Sequence, residues 1–394
     1  MIKKKKLLIL NGSHSEIPLI KSSKSLDFYV ITTGNNPELI GHQYSDEYCF
    51  ADYSDLETVL EVARNLNVDA VCSCSNDFGI MTASYISEKL GLPGHDAYET
   101  TKILHQKDLF KKFSMANDIP TPYAEGFDDI DKALAAINKR RFPLIIKPID
   151  LSGGKGVSVV RSAKECPGAI QTAFSLSHSR RIVIEDFIKG SQHSFSTFIV
   201  NGRVVFYFSD NEYSYLNPFF VSTSAAPAVN VSEVADDLIQ NIEKISKMLS
   251  LKDGIFHIQY LYSGKKAYIL EITRRCSGDL YPSPVDYSTG LDWAGWIVRA
   301  EAGMDCSGFP AVSQKGFCGR HCIMSPKNGI IKNVIIDKQI EGNIYDKLIW
   351  LRKSYRINNY LTDKAGVVLL KYDSMDEMLD KTARIHQLIY MNVE

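Results

Sequence analysis

The residues of this 394-residue chain best equipped for chemistry lie between Phe142 and Arg161, in the stretch FPLIIKPIDLSGGKGVSVVR. Gly153, Gly154 and Gly156 fall beside Ser152 and Lys155. Glycine adopts positive φ without a Cβ penalty, so such a run lets successive N–H groups turn inward and cradle an anion. Lys147 ends the apolar run Leu144–Ile146, and Pro148 limits further ladder pairing there, which leaves the ammonium able to reach the same anion. Two cations and several N–H donors on one turn suit a phosphate chain. The turn is neither a Walker motif, because no Gly-Lys-Ser/Thr opens a helix, nor GxGxxG. A surface hairpin has the same local pattern, so the rest of the chain must distinguish them.

The elements that position this turn read as strands on both sides, Leu144–Ile146 and Val157–Val160. Upstream, Leu7–Leu10, Phe28–Thr32 and Ala70–Ser73 alternate with helical segments near Glu16–Ser25 and from Ser54-Asp55-Leu56-Glu57, a capping box, to about Asn65. Alternation as far as Leu90, closed by Gly91-Leu92-Pro93-Gly94, predicts a small parallel sheet with helices on both faces. Asn11-Gly12-Ser13-His14 lacks the glycine spacing of a dinucleotide turn, and His14 reads as a polar loop residue. Tyr98 to Asn117 has helical spacing, with Lys102, Lys107, Lys111 and Lys112 off the apolar side and mostly solvated.

Beyond the central turn, His193–Val200 and Arg203–Asp210 form a hairpin at Asn201-Gly202, a type I′ signal. Gly254–Tyr262 and Lys266–Thr273 form a second around Ser263-Gly264, so the sheet here is antiparallel. Asn211–Val229 is aromatic, contains Pro and reads as a long functional loop. Ser232–Leu249 and Trp293–Ala302 are helices, and short strands after Gly316 precede a last helix opened by Ser374.

Composition excludes several classes. Lys+Arg 45 against Asp+Glu 46 gives a formal charge of −1, so no global field favours nucleic acid or an anionic membrane. Lys3–Lys6 with Leu7–Leu10 is too short for a signal peptide core and reads as a first strand with a basic leader. With no run of membrane-spanning length, the expected compartment is the cytoplasm. The eight cysteines are scattered; Cys72-Ser73-Cys74 and Cys318-Gly319-Arg320-His321-Cys322 lack the paired spacing of a structural zinc site and read as reduced thiols.

A phosphate loop with lysines, two antiparallel hairpins and a late acidic pair, following a small parallel sheet, resembles the ATP-grasp superfamily over nearly the whole chain. The fragments that carry the likeness are Lys107-Asp108 before Ile119-Pro120-Thr121-Pro122, Lys147-Pro148 with Ser152–Gly156, Glu185-Asp186-Phe187-Ile188-Lys189-Gly190, and Gln259 with Glu271 and Arg275. Within it the sequence is similar to carbamoyl-phosphate-synthetase-like carboxylate–amine ligases. The resemblance implies that Lys107 and Lys147 meet the ATP phosphates while Ser152, Gly153, Gly154, Lys155 and Gly156 close over them. It implies that Glu185, Asp186, Phe187 and Ile188 form the adenine hinge over an apolar floor at Leu261. Gln192 stands where the family commonly has Glu, and either it or His193 would contact ribose. Gln259 and Glu271 would hold Mg²⁺, or Mn²⁺ in its place, with Thr273 standing where Asn is usual. Arg275 would neutralise charge on the transferred phosphoryl, joined in catalysis by Lys147, and Arg274, Ser277 and Asp279 would hold the acceptor, with a turn role for Asp279 equally open.

The implied fold class is α/β and α+β: an N-terminal parallel α/β (pre-ATP-grasp) domain at 1–95, an ATP-grasp domain at 96–305 with its lid at about 120–185, and a C-terminal α+β segment at 306–394. The implied function is ATP- and Mg²⁺-dependent ligation of small-molecule carboxylate and amine substrates through an acyl phosphate, with no nucleic-acid or membrane partner and with homo-oligomerisation open. A phosphotransferase that stops at phosphoryl transfer, or an ATP-binding protein without turnover, is the alternative. Arg320 and the segment after Ser277 are further candidates for selecting the acid and the amine.

Overall fold

The alternation read in the first 90 residues appears in the computed structural model as four parallel strands, β1 (Lys6–Leu10), β2 (Tyr29–Gly34), β3 (Glu47–Phe50) and β4 (Ala70–Cys72), in the order β3-β2-β1-β4. The structure describes residues 4–151, 153–351 and 353–394. Leu7, Leu8, Ile9 and Leu10 are all fully buried, as a strand covered on both faces requires. The helix Leu56–Leu66 starts one residue later than its expected cap: Asp55, not Ser54, accepts from the Thr58 N–H, and Ser54 instead donates to Asp52. Asp/Asn and Ser are similarly good caps, so sequence alone does not choose between neighbours.

The helical stretch from Tyr98 is two helices, Tyr98–His105 and Lys107–Ala116, broken at an extended Gln106 (φ −87°, ψ 117°). Lys107 thereby opens the second helix. A four-stranded antiparallel lid sheet follows, from β5 (Ala124–Phe127), β6 (Leu144–Pro148), β7 (Ser158–Val160) and β8 (Ile182–Asp186), in the order β5-β8-β6-β7. The glycine-rich turn joins β6 to β7. Leu144, Ile146, Val160 and Ile184 pack under the helices Ile130–Ile137 and Cys166–Leu176 as the lid's own core.

The large sheet has eight strands. Its first five in sequence are β9 (Ser191–Val200), β10 (Arg203–Tyr213), β11 (Thr223–Ala226), β12 (Gly254–Ser263) and β13 (Lys266–Thr273). After them come β14 (Phe317–Met324), β15 (Gly329–Ile336), β16 (Ile344–Ile349), β17 (Arg356–Ile357), β18 (Lys364–Tyr372) and β19 (Ile389–Val393). The sheet order is β13-β12-β9-β10-β11-β14-β18-β16, and β17-β15-β19 form a small sheet beside it. Strands from after residue 305 therefore continue the ladder that carries the two hairpins.

Asn201 and Gly202 both have positive φ, as a type I′ turn needs, whereas the second hairpin turns one residue later than expected, at Gly264-Lys265. Asn211–Val229 is not one loop: β10 runs on to Tyr213 and Thr223–Ala226 is a strand between β10 and β14. Its aromatic and Pro content masked an alternation that only the pairing partners reveal.

One face of the large sheet buries Phe195, Ile199, Phe256, Ile258 and Ile269 against the helix Ala235–Leu249. The lower half of the other face buries Phe198, Phe206 and Phe208 against Trp293, Leu7 and Ile9, which seats the N-terminal unit and the helix Trp293–Glu301 on it. The upper half of that face is left to polar residues and forms the floor of a cleft under the lid. Among the described residues no helix is long and apolar enough to cross a membrane.

Candidate active site

Position along each strand decides what reaches the cleft. On β12, Ile258 and Tyr260 go to the core, so Gln259 and Leu261 face the cleft. Strict alternation on β13 would then send Glu271 to the same side as the buried Ile269. A β-bulge prevents this: Gln259 pairs with Glu271 but Tyr260 pairs with Ile269, so Leu270 is the extra residue and Glu271 turns back to the cleft opposite Gln259. The Ile269 carbonyl, freed at the bulge, accepts from Lys111 Nζ at 3.1 Å and Thr121 Oγ1 at 2.9 Å.

Cations then alternate with carboxylates. Lys107 Nζ lies 3.5 Å from Glu271 and 2.8 Å from the Leu151 carbonyl at the start of the glycine-rich turn. Lys147 Nζ lies 3.0 Å from Glu185, and Lys111 Nζ is 3.9 Å from the same oxygen. Lys111 is not solvated as its helix position suggested but 1% exposed. Burial pulls its ammonium down to about 8, with Glu185 opposing. For Glu185 burial pushes up, but Lys111 and Lys147 together hold the carboxyl below its ordinary range. Its Oε1 is buried without a partner among the described residues, an acceptor open to a ligand.

Two carboxylates that sequence reading did not single out lie on β10. Glu212 accepts from Gln259 Nε2 at 2.7 and 2.8 Å and from Gln192 Nε2 at 2.8 Å. Asp210 accepts from Ser194 Oγ at 2.6 Å and keeps Oδ2 buried without a partner among the described residues. Desolvation, and for Glu212 the neighbouring Asp210, raise both above the usual carboxylate range. Arg320 on β14 is 6% exposed, with Nε unpartnered among the described residues and Nη1 3.6 Å from Asp279. Glu212 pairs across β11 through Ser224 with Arg320, which puts all three on one face.

Arg275 reaches the cleft held by Asp77, the first residue of the helix Asp77–Leu90, through Nε at 2.9 Å and Nη2 at 2.8 Å. Burial would raise the Asp77 carboxyl, but Arg275 and then His105 hold it well below its usual range. Nothing local in sequence links residues 77 and 275. Arg274 is not brought to the cleft: Nε bonds Asp96 at 2.9 Å and Nη2 the Lys252 carbonyl at 2.6 Å. Its donors clamp the chain entering the helix Tyr98–His105, and a substrate role does not fit it. Ser277 Oγ is buried without a partner among the described residues. Asp279 has φ 57° and sits among His14 at 3.2 Å, Lys364 at 2.5 Å and Arg320, so it joins all three parts of the chain. His14 is no free loop residue, since its ring also stacks on Trp350 at 3.8 Å.

The glycines of the turn behave as required. Gly153, Gly154 and Gly156 have φ of +67°, +73° and +71°. A Cβ on Gly154 would stand 2.5 Å from the Phe219 carbonyl oxygen, so the turn rests on the segment between β10 and β11. Lys155 is exposed, and Ser152 lies outside the described residues. The hinge ladder ends at Asp186, after which Phe187 and Ile188 leave the sheet. The Asp186 side chain turns to Arg140 at 2.8 Å rather than into the cleft. Gln192 faces the cleft beside Leu261, whereas His193 is 1% exposed on the opposite face against Tyr260.

Gln259 and Glu271 offer hard oxygens, Thr273 Oγ1 is buried without a partner nearby, and only Lys107 is in ionic contact with Glu271 among the described residues. This donor set fits Mg²⁺, which takes one or two protein oxygens and completes its shell with phosphate and water. No cluster of three or more His, Cys, Asp or Glu suited to a metal exists among the described residues, and all eight cysteines are free thiols.

Residues 105–216 match the sequence profile of the phosphoribosylglycinamide synthetase ATP-grasp (A) domain. The carbamoyl phosphate synthase large chain of Pseudothermotoga lettingae is 29% identical over 259 residues, 64% of this chain and 23% of that one. The chain thus spans about a quarter of the curated relatives it matches. The L-amino acid ligase from Bacillus licheniformis superimposes with a TM-score of 0.83 at 18% identity over 100% of both chains. The phosphoribosylglycinamide synthetase from Anaerococcus prevotii does so with a TM-score of 0.77 at 20% identity, again over 100% of both.

Proposed function

We propose, from the premise that this chain is an ATP-grasp protein related to carbamoyl phosphate synthase large chains, that it is an ATP-dependent ligase joining a carboxylate to an amine. The observation that carries the reading is the bulged hairpin that sets Glu271 opposite Gln259 with Lys107 3.5 Å from Glu271. A triphosphate end held there would meet Lys107, Lys147 and the N–H groups of the glycine turn, which supply positioning and charge neutralisation. Mg²⁺, held by Gln259 and Glu271 with Thr273 beside them, supplies Lewis acidity when bound.

In this reading the substrate carboxylate oxygen attacks the γ-phosphorus, the bond to the ADP oxygen breaks, and an acyl phosphate forms. The amine nitrogen then attacks the acyl carbon, phosphate leaves with the carbon–oxygen bonding pair, and the nitrogen gives up a proton. Arg275, kept in place by Asp77, faces the phosphoryl group in both steps. Glu185 and the chain leaving β8 take the adenine edge, Gln192 the ribose and Leu261 the ring face. Ser277, with Asp279 shaping the turn, lines the acceptor side. The lid turn, resting on Phe219, excludes water from the anhydride. We further assign 1–95 as the N-terminal α/β domain, 96–305 as the ATP-grasp domain and 306–394 as the C-terminal α+β segment, and the protein to the cytoplasm.

The test is a panel of amino acids and small carboxylates, taken singly and in pairs, scored for ADP and phosphate release. Release in equal amounts that requires an acid and an amine together is expected. Release with an acid alone, leaving a stable phosphorylated acid, would replace the ligase by a phosphotransferase.

A further inference from the structure

We infer that Glu212 is a positioning residue that fixes the amides of both Gln192 and Gln259, so that their carbonyl oxygens are presented to the nucleotide and its metal. The observation is one carboxylate with three amide contacts of 2.7–2.8 Å, two from Gln259 Nε2 and one from Gln192 Nε2. A glutamine amide has a donor end and an acceptor end of nearly the same shape, and it turns whichever way its partners dictate. Both Glu212 oxygens stand 2.7–2.8 Å from amide nitrogens and accept from them, so each amide shows the carboxyl its NH₂ end and turns its carbonyl away. Neither Oε1 has a hydrogen-bond donor among the described residues, which leaves both oxygens for a ligand.

The placement follows from the sheet. Gln192 on β9 pairs with Leu261 on β12, Gln259 pairs with Ser194, and Glu212 lies one step beyond the Asn211–His193 pair on β10. Strands 4.7–4.9 Å apart put the three side chains on one face within reach of each other. Gln259 is the neighbour of Glu271 across the bulge, so Glu212 acts on the metal side through Gln259 and on the ribose side through Gln192. Groups behind direct ligands commonly orient them in this way.

The arrangement has a consequence for charge. A carboxylate at 259 would face Glu212 at hydrogen-bond distance, and the pair would have to hold a proton between them to carry one negative charge rather than two, which takes the amide donor away from Glu212. Glutamine at 259 and glutamate at 212 form a complementary set, and exchanging the two residue types restores complementarity while changing either alone destroys it.

The inference rests on the proposed ATP and Mg²⁺ reading of the cleft. The experiment measures the affinity of the full chain for a non-hydrolysable ATP analogue by calorimetry, with and without Mg²⁺, in the wild type, Glu212→Gln, Gln259→Glu and the double variant. Each single variant is expected to lose ten- to a hundredfold of the Mg²⁺-dependent affinity. Adding Glu212→Gln to Gln259→Glu is expected to regain at least tenfold, so the effect of the same substitution reverses sign.

A wild type whose analogue binding ignores Mg²⁺ would overturn the reading of the cleft and the inference with it. With Mg²⁺-dependent binding in the wild type, a change below twofold in Glu212→Gln would overturn the inference alone. A loss from Glu212→Gln in both backgrounds would make Glu212 a direct ligand and also overturn it. Thermal melting accompanies each variant. Should Glu212→Gln alone not fold, Gln259→Glu compared with the double variant still reads the expected recovery, and no recovery overturns the inference.

Discussion

Lys111→Met removes a buried ammonium whose surroundings give the cost and its pH dependence. The wild-type side chain is 1% exposed, donates to Thr121 Oγ1 at 2.6 Å and to the Ile269 carbonyl at 3.1 Å, and stands 3.9 Å from Glu185. Taking one partner from a buried pair costs about 3–5 kcal/mol, and Lys147, still 3.0 Å from Glu185, reduces this to about 2–3 kcal/mol at neutral pH. The pH dependence has a definite sign. Folding lowers the lysine from 10.5 to about 8, so between those values the unfolded chain binds more protons and stability rises with pH. The desolvation penalty is fully present below about 8 and is relieved as pH approaches 10.5. At ~1.4 kcal/mol per pH unit the wild type gains at most about 3.5 kcal/mol over that window, and the variant lacks this gain. Urea unfolding of both proteins from pH 7 to 10.5 measures it. The stability deficit of Lys111→Met is expected to widen above pH 8. A constant difference across the window would refute the placement of a charged, desolvated lysine behind Glu185.

Lys147→Ala should weaken ATP binding about ten- to a hundredfold, the value of one charge-assisted contact, as read by nucleotide titration of the folded variant. Glu271→Gln should abolish Mg²⁺-dependent turnover while leaving thermal melting close to that of the wild type, because the side chain is 37% exposed and its only ion pair among the described residues is with Lys107. Asp77→Asn should lower kcat at least tenfold with the KM for ATP nearly unchanged, since it releases Arg275 without touching the groups proposed to hold the nucleotide. Gly154→Ala should raise the KM for ATP several-fold, because φ is +73° and the new methyl would meet the Phe219 carbonyl.

The sequence made the strands around the glycine turn legible because β-branched runs bounded by Pro and Gly have few other conformations. The opposition of Gln259 and Glu271 came from the family resemblance and not from the turn, because a ladder counted from Gly264-Lys265 without the bulge sets Gln259 opposite Leu270. The bulge at Leu270, which decides that Glu271 faces the cleft, left no mark, since the local residues Ile269, Leu270 and Ile272 are all apolar. Lys111 looked solvated because a helix pattern shows which side is apolar but not which neighbour covers the polar side. Here β13 and β8 cover it. Glu212 was hidden by reading 211–229 as loop, and Asp210 ended the expected strand without being given a role. The Asp77–Arg275 and Arg274–Asp96 pairs join residues 198 and 178 positions apart, a separation at which sequence pattern carries no signal.

The measurement that bears most directly on the central claim is capture of the acyl phosphate. With ATP, Mg²⁺ and the carboxylate found in the substrate panel, hydroxylamine replacing the amine should give a hydroxamate with ADP and phosphate in equal amounts, and Arg275→Ala should give none. A phosphorylated product that is stable to hydroxylamine would contradict ligation and leave a phosphotransferase. Tight ATP binding with no ADP formed from any acid and amine would contradict turnover altogether.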